Sequence, residues 1–223
     1  MADTPMAKPK SYRLLCPISR ALDRVGDRWS LLILRDLHAG PARFGELQHG
    51  LVGLASNLLA TRLEQLQQDG LIVRRPDENG GNVYALTQDG EATAPLLFEL
   101  ATLGTRYQPH DELRRPGNLR TVAVTLKEAL RRVVGPHDDL RAELEVDDEP
   151  FAISIHDGDV RVDYGADEEA PLRIRTDYES LVDVGDGHMS ATEFGKNHIE
   201  IAKGTKRDAK ALLRLMAAAF GGS

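Results

Sequence analysis

The feature that most constrains this chain is the order of its sequence patterns between residues 17 and 86. Apolar residues recur at helical spacing in four consecutive segments, 17–25, 29–37, 43–50 and 56–69. Two strand-like runs follow, and the Asn-Gly-Gly segment between them offers residues that accept the positive φ angles of a hairpin tip. Three helices, a turn-separated fourth helix and a two-stranded hairpin predict a winged helix-turn-helix.

The helix predicted over 56–69 is the candidate recognition helix. At about 100° per residue, Leu59, Leu63 and Leu66 form one apolar stripe. The opposite side is small and polar, and it begins with Ser56, Asn57 and Thr61. Recognition helices present N-terminal residues of this kind to base edges. An amphipathic surface helix with a solvated face is the alternative, and the hairpin that follows favours the DNA-binding interpretation.

The charge distribution separates the two halves of the chain. Residues 1–110 carry 12 basic and 12 acidic side chains, whereas residues 111–223 carry 16 and 23, which accounts for the whole net charge of −7. Residues 1–75 alone carry 11 basic and 7 acidic side chains. We therefore expect only the front half to meet a polyanion such as DNA.

Composition excludes several other classes of protein. Hydrophobic residues make up 41% of the chain and charged residues 28%, a balance typical of a globular protein. No apolar run approaches the roughly 18 residues of a membrane helix, and the first ten residues lack a signal core. Cys16 is the only cysteine and has no partner for an internal disulfide. These observations predict a cytoplasmic protein.

Six short motifs in the front half resemble the HxlR-type winged-helix regulators of bacteria. They are Cys16-Pro17-Ile18, Gly26–Leu37, Arg43–Leu47, Asn57–Leu63, Asp69-Gly70-Leu71 and Tyr84–Thr87. The resemblance covers about residues 12–106 and implies a homodimeric, DNA-binding transcription regulator. It also implies that two protomers join through their outer helices, here 17–25 and 88–104. Ala55 departs from the family's Ser/Thr cap, which leaves Ser56 as an alternative cap.

The resemblance and the helical wheel together assign candidate DNA contacts. Base-edge contacts are predicted for four residues of the recognition helix: Ser56, Asn57, Thr61 and Gln65. Phosphate contacts are predicted for Arg28, Arg43 and Arg62, with a bond to its own domain as the alternative for Arg62. Asn79 and Asn82 of the wing are predicted to reach a minor groove or flanking phosphates.

The second half predicts a separate α+β domain over 119–223, joined by a Pro- and Gly-containing linker at 108–118. A flexible segment at 1–11 precedes the DNA-binding and dimerisation domain of 12–107. One helix kinked at Pro95 is expected from Thr87 through Leu103.

Beyond the linker, helices are predicted at 119–134, near 178–195 and at 206–220, and strands at 140–146, 151–156, 160–164, 172–176 and 198–202. This order is similar to the sterol-carrier-protein type 2 fold, which implies binding of a lipid or other apolar molecule. The alternative is a spacer with a filled core.

Chemistry other than binding has little support in the sequence. The seven histidines show no metal-ligand spacing, and no phosphate-binding or nucleophile motif occurs, so we expect neither an enzyme nor a cofactor.

Cys16 precedes a helix-starting proline with arginines nearby, an environment that favours thiolate. Some HxlR-type proteins use a matching cysteine to sense oxidants or electrophiles; a buried cysteine at the dimer seam is the alternative. A lipid carrier whose front half serves only to dimerise is the rival function.

Overall fold

The computed structural model describes residues 11–77, 80–107 and 118–220, which form an α+β chain. The predicted N-terminal segment at 1–11 and linker at 108–118 lie almost entirely outside these residues. The helices are α1 (Pro17–Val25), α2 (Ser30–Leu37), α3 (Phe44–Gly50), α4 (Ser56–Gln68), α5 (Gln88–Glu91), α6 (Ala94–Gly104), α7 (Thr121–Arg131), α8 (Tyr178–Gly185), α9 (Ala191–Asn197) and α10 (Lys206–Phe220). The strands are β1 (Ile72–Pro76), β2 (Asn82–Leu86), β3 (Leu140–Val146), β4 (Glu149–His156), β5 (Asp159–Tyr164), β6 (Leu172–Thr176) and β7 (Glu200–Lys203).

The front half has the predicted element order of a winged helix-turn-helix. Pro17 occupies the first turn of α1, where its missing N–H costs no helical hydrogen bond. The Asp27 carboxylate accepts the backbone N–H groups of Trp29 and Ser30 at 2.9 and 3.1 Å, at the start of α2. The apolar stripes of α2, α3 and α4 meet in one core, which includes Ile33, Leu34, Leu47, Leu59, Leu63 and Leu66. The spacing of apolar residues therefore predicted these helices well.

The wing is an antiparallel hairpin that pairs with the connection between α2 and α3. Ile72 lies opposite Leu86, and Arg75 lies opposite Val83. Ala42 exchanges two backbone hydrogen bonds with Tyr84 of β2, at 2.9 and 2.8 Å. Strand β2 is thus held through its backbone by β1 on one side and by Ala42 on the other.

The single kinked helix predicted from Thr87 through Leu103 is wrong, because the segment forms two helices, α5 and α6. The Thr87 hydroxyl accepts the Gly90 N–H at 3.1 Å, as predicted for a cap. Pro95 lies in the first turn of α6 rather than inside a helix, which avoids a clash with the preceding turn. Gly90 also has no room for a side chain, since a Cβ would lie 2.1 Å from the Leu71 carbonyl oxygen.

The second half contains a five-stranded mixed sheet in the order β5-β4-β3-β6-β7, in which β3 and β6 run parallel. Alternate residues of each strand point to one apolar face, as shown by the pairs Ala142–Ile153 and Leu144–Phe151. Residues of α7, α8, α9 and α10 pack in the same core as this face. The strands predicted at 140–146, 151–156, 160–164 and 172–176 are found as β3 to β6, and the strand predicted at 198–202 begins two residues later, as β7.

The two halves share packed residues, which the sequence did not predict. Val124 of α7 lies in the core of the front half, whereas Ala39, between α2 and α3, lies in the core of the second. The Tyr164 N–H donates to the Ala39 carbonyl at 2.8 Å, and Asn118 Nδ2 donates to Asp36 Oδ2 at 2.7 Å. Helix α7 therefore belongs to both halves rather than to the second alone.

Among the described residues, no helix combines the length and the apolar character that a membrane span needs.

Candidate nucleic-acid interface

The exposed side of α4 carries the predicted base-reading residues in its first two turns. Ser56, Asn57 and Thr61 are exposed, while Leu59 and Leu63 on the opposite side are fully buried. Asn57 Oδ1 accepts the Leu58 N–H at 2.8 Å, and the Thr61 hydroxyl donates to the Asn57 carbonyl at 2.9 Å. No partner for the Asn57 amide nitrogen occurs among the described residues, so this donor is available to a ligand.

The start of α4 differs from the alternative that the sequence left open. The helix begins at Ser56 with Ala55 as its N-cap, and no side chain caps it. Ser56 therefore lies inside the first turn, and the prediction that it caps the helix is wrong. The N–H groups of Ser56 and Asn57 consequently have no side-chain acceptor among the described residues and can donate to a phosphate oxygen, whereas that of Leu58 donates to Asn57 Oδ1.

Gln65 and Arg62 face their own domain rather than the surface. Arg62 Nε lies 3.1 Å from Asp27 Oδ1, and its Nη1 donates to Gln65 Oε1. Both side chains are half-buried. The alternative in which Arg62 bonds to its own domain is the arrangement found here, and it also occupies the Gln65 oxygen.

Arg43 links the start of α3 to the wing. Its guanidinium is paired with Asp77, and this hydrogen bond raises the pKa of Arg43 above its ordinary value. The Arg43 N–H also donates to Glu46 Oε2 at 2.6 Å. Asn82 is exposed as the first residue of β2, whereas Asn79 lies outside the described residues.

Three further arginines of the front half are exposed, and of these only Arg28 was predicted to contact phosphate. Arg28 stands before α2 with its guanidinium carbon 5.5 Å from the centroid of the Trp29 ring. Arg74 and Arg75 are exposed on β1 of the wing. Two adjacent arginines at the end of a predicted wing strand were the signal for this second group.

Two segments of the front half, residues 12–22 and 96–107, expose many large apolar side chains. Leu15 is 97% exposed and Ile18 is 71% exposed, and both lie within two residues of Cys16, which is exposed as well. The other exposed apolar residues of these two segments are Tyr12, Leu14, Leu22, Leu96, Leu100, Leu103 and Tyr107. We call this set the outer apolar face. No cluster of three or more metal-ligating side chains occurs in the described parts of the chain.

Known proteins resemble the front half of the chain. The HxlR-like helix-turn-helix family matches residues 24–112. The uncharacterized HTH-type regulator sll1512 of Synechocystis is 36% identical over 95 residues, which cover 42% of this chain and 70% of sll1512. The uncharacterized regulator YvaP of Bacillus subtilis is 33% identical over 96 residues, covering 42% of this chain and 89% of YvaP.

YodB, an HTH-type transcriptional regulator of Bacillus subtilis, is 30% identical over 101 residues, which cover 44% of this chain and 90% of YodB. Its quinone-bound crystal structure matches 41% of this chain and 100% of YodB with a TM-score of 0.37. Each of these three relatives is at least 30% identical to this chain and is matched over at least 70% of its own length. This chain therefore belongs to the HxlR-like helix-turn-helix family of transcriptional regulators.

Proposed function

We propose that the protein is a homodimeric transcription regulator that reads two DNA half-sites with α4. The exposed polar start of α4, centred on Asn57, is the observation that carries this proposal. An asparagine can pair with adenine through two hydrogen bonds, provided that both its amide nitrogen and its oxygen are available. The nitrogen is free, and the oxygen needs only to release the N–H of the adjacent Leu58.

The arginines divide into two groups by their availability to phosphate. Arg28 is exposed and bears no ion pair among the described residues, so it is our first choice for a phosphate contact. Arg43 would first have to share its guanidinium with Asp77, and Arg62 is held by Asp27. We therefore assign Arg28 a direct phosphate contact and Arg43 the orientation of the wing.

The outer apolar face supports the dimer. Nine large apolar side chains of residues 12–22 and 96–107 are exposed. Large exposed apolar surfaces of soluble proteins mark sites of interaction with a partner. A second copy of the chain is the occupant that a two-fold operator requires, because one recognition helix reads only a few base pairs.

The DNA proposal is tested by selecting binding sites from a random duplex library and titrating the selected duplex. We expect log affinity to fall with log salt by about 0.9 per phosphate neutralised. Asn57→Ala should cost about 1–3 kcal/mol at one base pair per half-site. Arg28→Gln should weaken all sequences alike and reduce the salt slope by about one. Gln67→Ala, which changes an exposed residue at the far end of α4, is the control.

Failure to select any sequence, or an affinity that does not depend on salt, would contradict the proposal. An Asn57→Ala protein that keeps both the affinity and the sequence preference would exclude α4 as the reading element.

Electrophile sensing through Cys16 is a second candidate, favoured by the exposure of this thiol beside the proposed dimer seam. The relative YodB has been crystallised with a quinone bound. Modification of Cys16 would add bulk beside Leu15 and Ile18, where the two protomers are proposed to meet. Treatment with p-benzoquinone should then lower the DNA affinity of the wild type and leave Cys16→Ser unchanged. Equal loss in both proteins would exclude Cys16.

An apolar ligand in the second half is a third prediction, and it derives from the sterol-carrier-like order of elements. Phe151 and Phe194 fill the space between the sheet and the helices, each no more than 1% exposed. An acyl chain in this space would have to displace them. Native mass spectrometry of the full chain purified from cells tests the prediction, since a retained lipid adds its mass to the protein.

A further inference from the structure

A cavity lies between the wing and the edge of the five-stranded sheet, where the two halves of the chain meet. Its volume is about 400 Å³, within the size range of small-molecule sites. The wing contributes Arg75, Ala85 and Leu86, α7 contributes Lys127 and Arg131, and β5 contributes residues 159–163. Eight of its fifteen lining residues carry ionisable side chains, so its walls suit a polar ligand rather than an acyl chain.

The ammonium of Lys127 is a buried cation in the wall of this cavity. Its side chain is only 7% exposed. Lys127 Nζ lies 3.2 Å from Glu91 Oε2 and 3.4 Å from His38 Nδ1. His38 is buried as well, and its Nε2 lies 3.0 Å from the Thr93 hydroxyl. A lysine ammonium has three N–H donors, and these contacts use at most two of them. At least one donor of a buried cation is left for a ligand in the cavity.

The other cations of the wall differ in how they are neutralised. Arg131 Nη1 lies 2.8 Å from Glu128, and Arg161 Nε lies 3.1 Å from Asp159. Arg75 has no ion pair within the described parts of the chain. Arg131 and Arg161 keep further N–H donors, but the charge of each is already paired. We therefore take Lys127 on α7, which has a spare donor on a buried ammonium, and Arg75 on the wing, which has no ion pair among the described residues, as the two cations that meet a ligand. Carboxylate and phosphate oxygens are the acceptors that such donors bind most strongly.

The remaining wall, on β5, offers acceptors instead. Asp159 and Asp163 are exposed carboxylates on this edge strand, and both line the cavity. They would repel a second anionic group but accept hydrogen bonds from hydroxyl groups. The walls are therefore complementary to a molecule that is anionic at one end and hydroxylated along its length.

We infer that this cavity binds a small hydroxycarboxylate, which acts as an effector by joining the wing to the second half. The carboxylate would meet Lys127 and Arg75, and the hydroxyl groups would face β5. Because Arg75, Ala85 and Leu86 belong to the wing hairpin, a ligand seated there contacts both the DNA-binding half and the sheet. Such a ligand favours one arrangement of the wing, and it changes DNA affinity to the extent that it binds this arrangement better. The effector role rests on the proposed function, whereas the binding itself does not.

Binding is tested without DNA, on the full chain, by thermal unfolding with gluconate, which has one terminal carboxylate and a hydroxylated chain, at constant ionic strength maintained by chloride. Gluconate should raise the melting temperature saturably. Lys127→Met removes the buried donor and Arg75→Gln removes the exposed one. Each should raise the half-saturating gluconate concentration at least tenfold. Arg214→Gln, which removes an exposed arginine of α10 outside the cavity, is the matched control and should respond like the wild type.

Several results would overturn the inference. They are an absence of saturation, an equal response in Arg75→Gln and Arg214→Gln, or an equal response to inorganic phosphate, which has charge but no carbon skeleton to fit the walls. Arg75 is exposed, so this variant reports on the site even if Lys127→Met fails to fold.

The effector role is tested by DNA titration of the wild type with and without saturating gluconate at the same ionic strength. We expect the dissociation constant to change at least fivefold, and Arg75→Gln to abolish the change. Saturable gluconate binding with unchanged DNA affinity would overturn the effector role. Absence of any DNA binding would instead contradict the proposed function and leave the gluconate result standing.

Discussion

Glu91 lies where the two halves of the chain meet, next to one buried residue from each. Its carboxylate lies 3.6 Å from His38 Nδ1 of the front half and 3.2 Å from Lys127 Nζ of α7. The interaction with His38 is the largest cause that lowers the pKa of Glu91 to about 2, and the charge of Lys127 acts in the same direction against desolvation. Protonation of Glu91 therefore weakens the contact between the halves.

The pKa of Glu91 predicts a dependence of stability on pH. Since the pKa is lower in the folded state than the ordinary 4.5, the stabilisation is present above about pH 4.5 and is lost as the pH falls toward 2. Glu91→Gln should lower the free energy of unfolding at pH 7 by about 1 kcal/mol, a modest figure because solvent screens a half-exposed carboxylate. Urea unfolding at pH 7 and near pH 3 measures this difference, which should shrink at the lower pH.

Glu99→Gln is the control for this measurement. Glu99 Oε1 lies 2.8 Å from Arg132 Nη2, but its side chain is 63% exposed, so its loss should change stability by less than about 0.5 kcal/mol. A difference between Glu91→Gln and the wild type that is the same at both pH values would contradict the assigned role.

At the scale of single residues, sequence reasoning found the surface groups and missed the buried polar ones. Asn57 and Thr61 were predicted because one helical period places them opposite Leu59 and Leu63. His38 and Lys127 could not be found in this way, because they are 89 positions apart and each resembles a solvated surface residue in its own segment. Only the packing of α7 against α2 brings them together and buries them.

At the scale of elements, the outer apolar face dominates what α1 and α6 expose. Leu96, Leu100 and Leu103 are each 40–46% exposed on α6, and Ile18 and Leu22 are exposed on α1. These residues do not belong to either core of the chain. Their burial by a second protomer would supply about 25 cal/mol per Å² of apolar area.

Leu100→Glu should therefore convert the protein to a monomer. A charge buried in an apolar seam without a partner costs several kcal/mol, more than a typical dimer of this kind tolerates. Light scattering at micromolar concentration should report about 49 kDa for the wild type, twice the 24.5 kDa of the chain. Val52→Glu, which places the same charge at an exposed apolar residue between α3 and α4, should remain dimeric. A wild-type mass of 24.5 kDa would contradict the dimer.

The bounds of helices and strands were predicted correctly where the spacing of apolar residues agreed with the turn-forming residues at the ends of the segment. Strands β3 and β6 and helix α10 have the predicted bounds, because strict alternation or a long apolar stripe left one consistent register. The segment after Thr87 deviated, since a proline at 95 is compatible both with a kink and with a new helix start. The first helix of the second half was placed correctly, but nothing in its sequence indicated that Val124 would face the other core.

At the scale of the whole molecule, α7 packs in the cores of both halves, so we expect the halves to unfold as one cooperative unit. Leu126 and Leu130 pack in the core of the second half, while Val124 packs in that of the first. Arg120 adds a polar clamp, with Nη1 3.2 Å from the Asp36 carbonyl and 3.3 Å from that of Gly40. Unfolding either half would remove one side of α7 from its packing.

Cooperativity is tested with one core substitution in each half. Leu63→Ala in the front half and Leu130→Ala in α7 remove fully buried leucines, and each should cost about 2–5 kcal/mol. Calorimetry should show one transition in the wild type and in both variants, shifted to lower temperature. Leu213→Ala, at a partly buried residue of α10, should shift it less. A transition that splits in two after Leu130→Ala would mean that the halves unfold independently.

The backbone bond from Tyr164 to Ala39 has a consequence for how this protein can be divided. Strand β5 lies at the edge of its sheet, and bare sheet edges invite intermolecular pairing and aggregation. The α2–α3 connection satisfies an N–H of that edge, and the core of the front half covers Val124. A C-terminal segment cut free of its neighbour would lose both protections. We therefore expect the second half, produced alone, to be less soluble than the full chain.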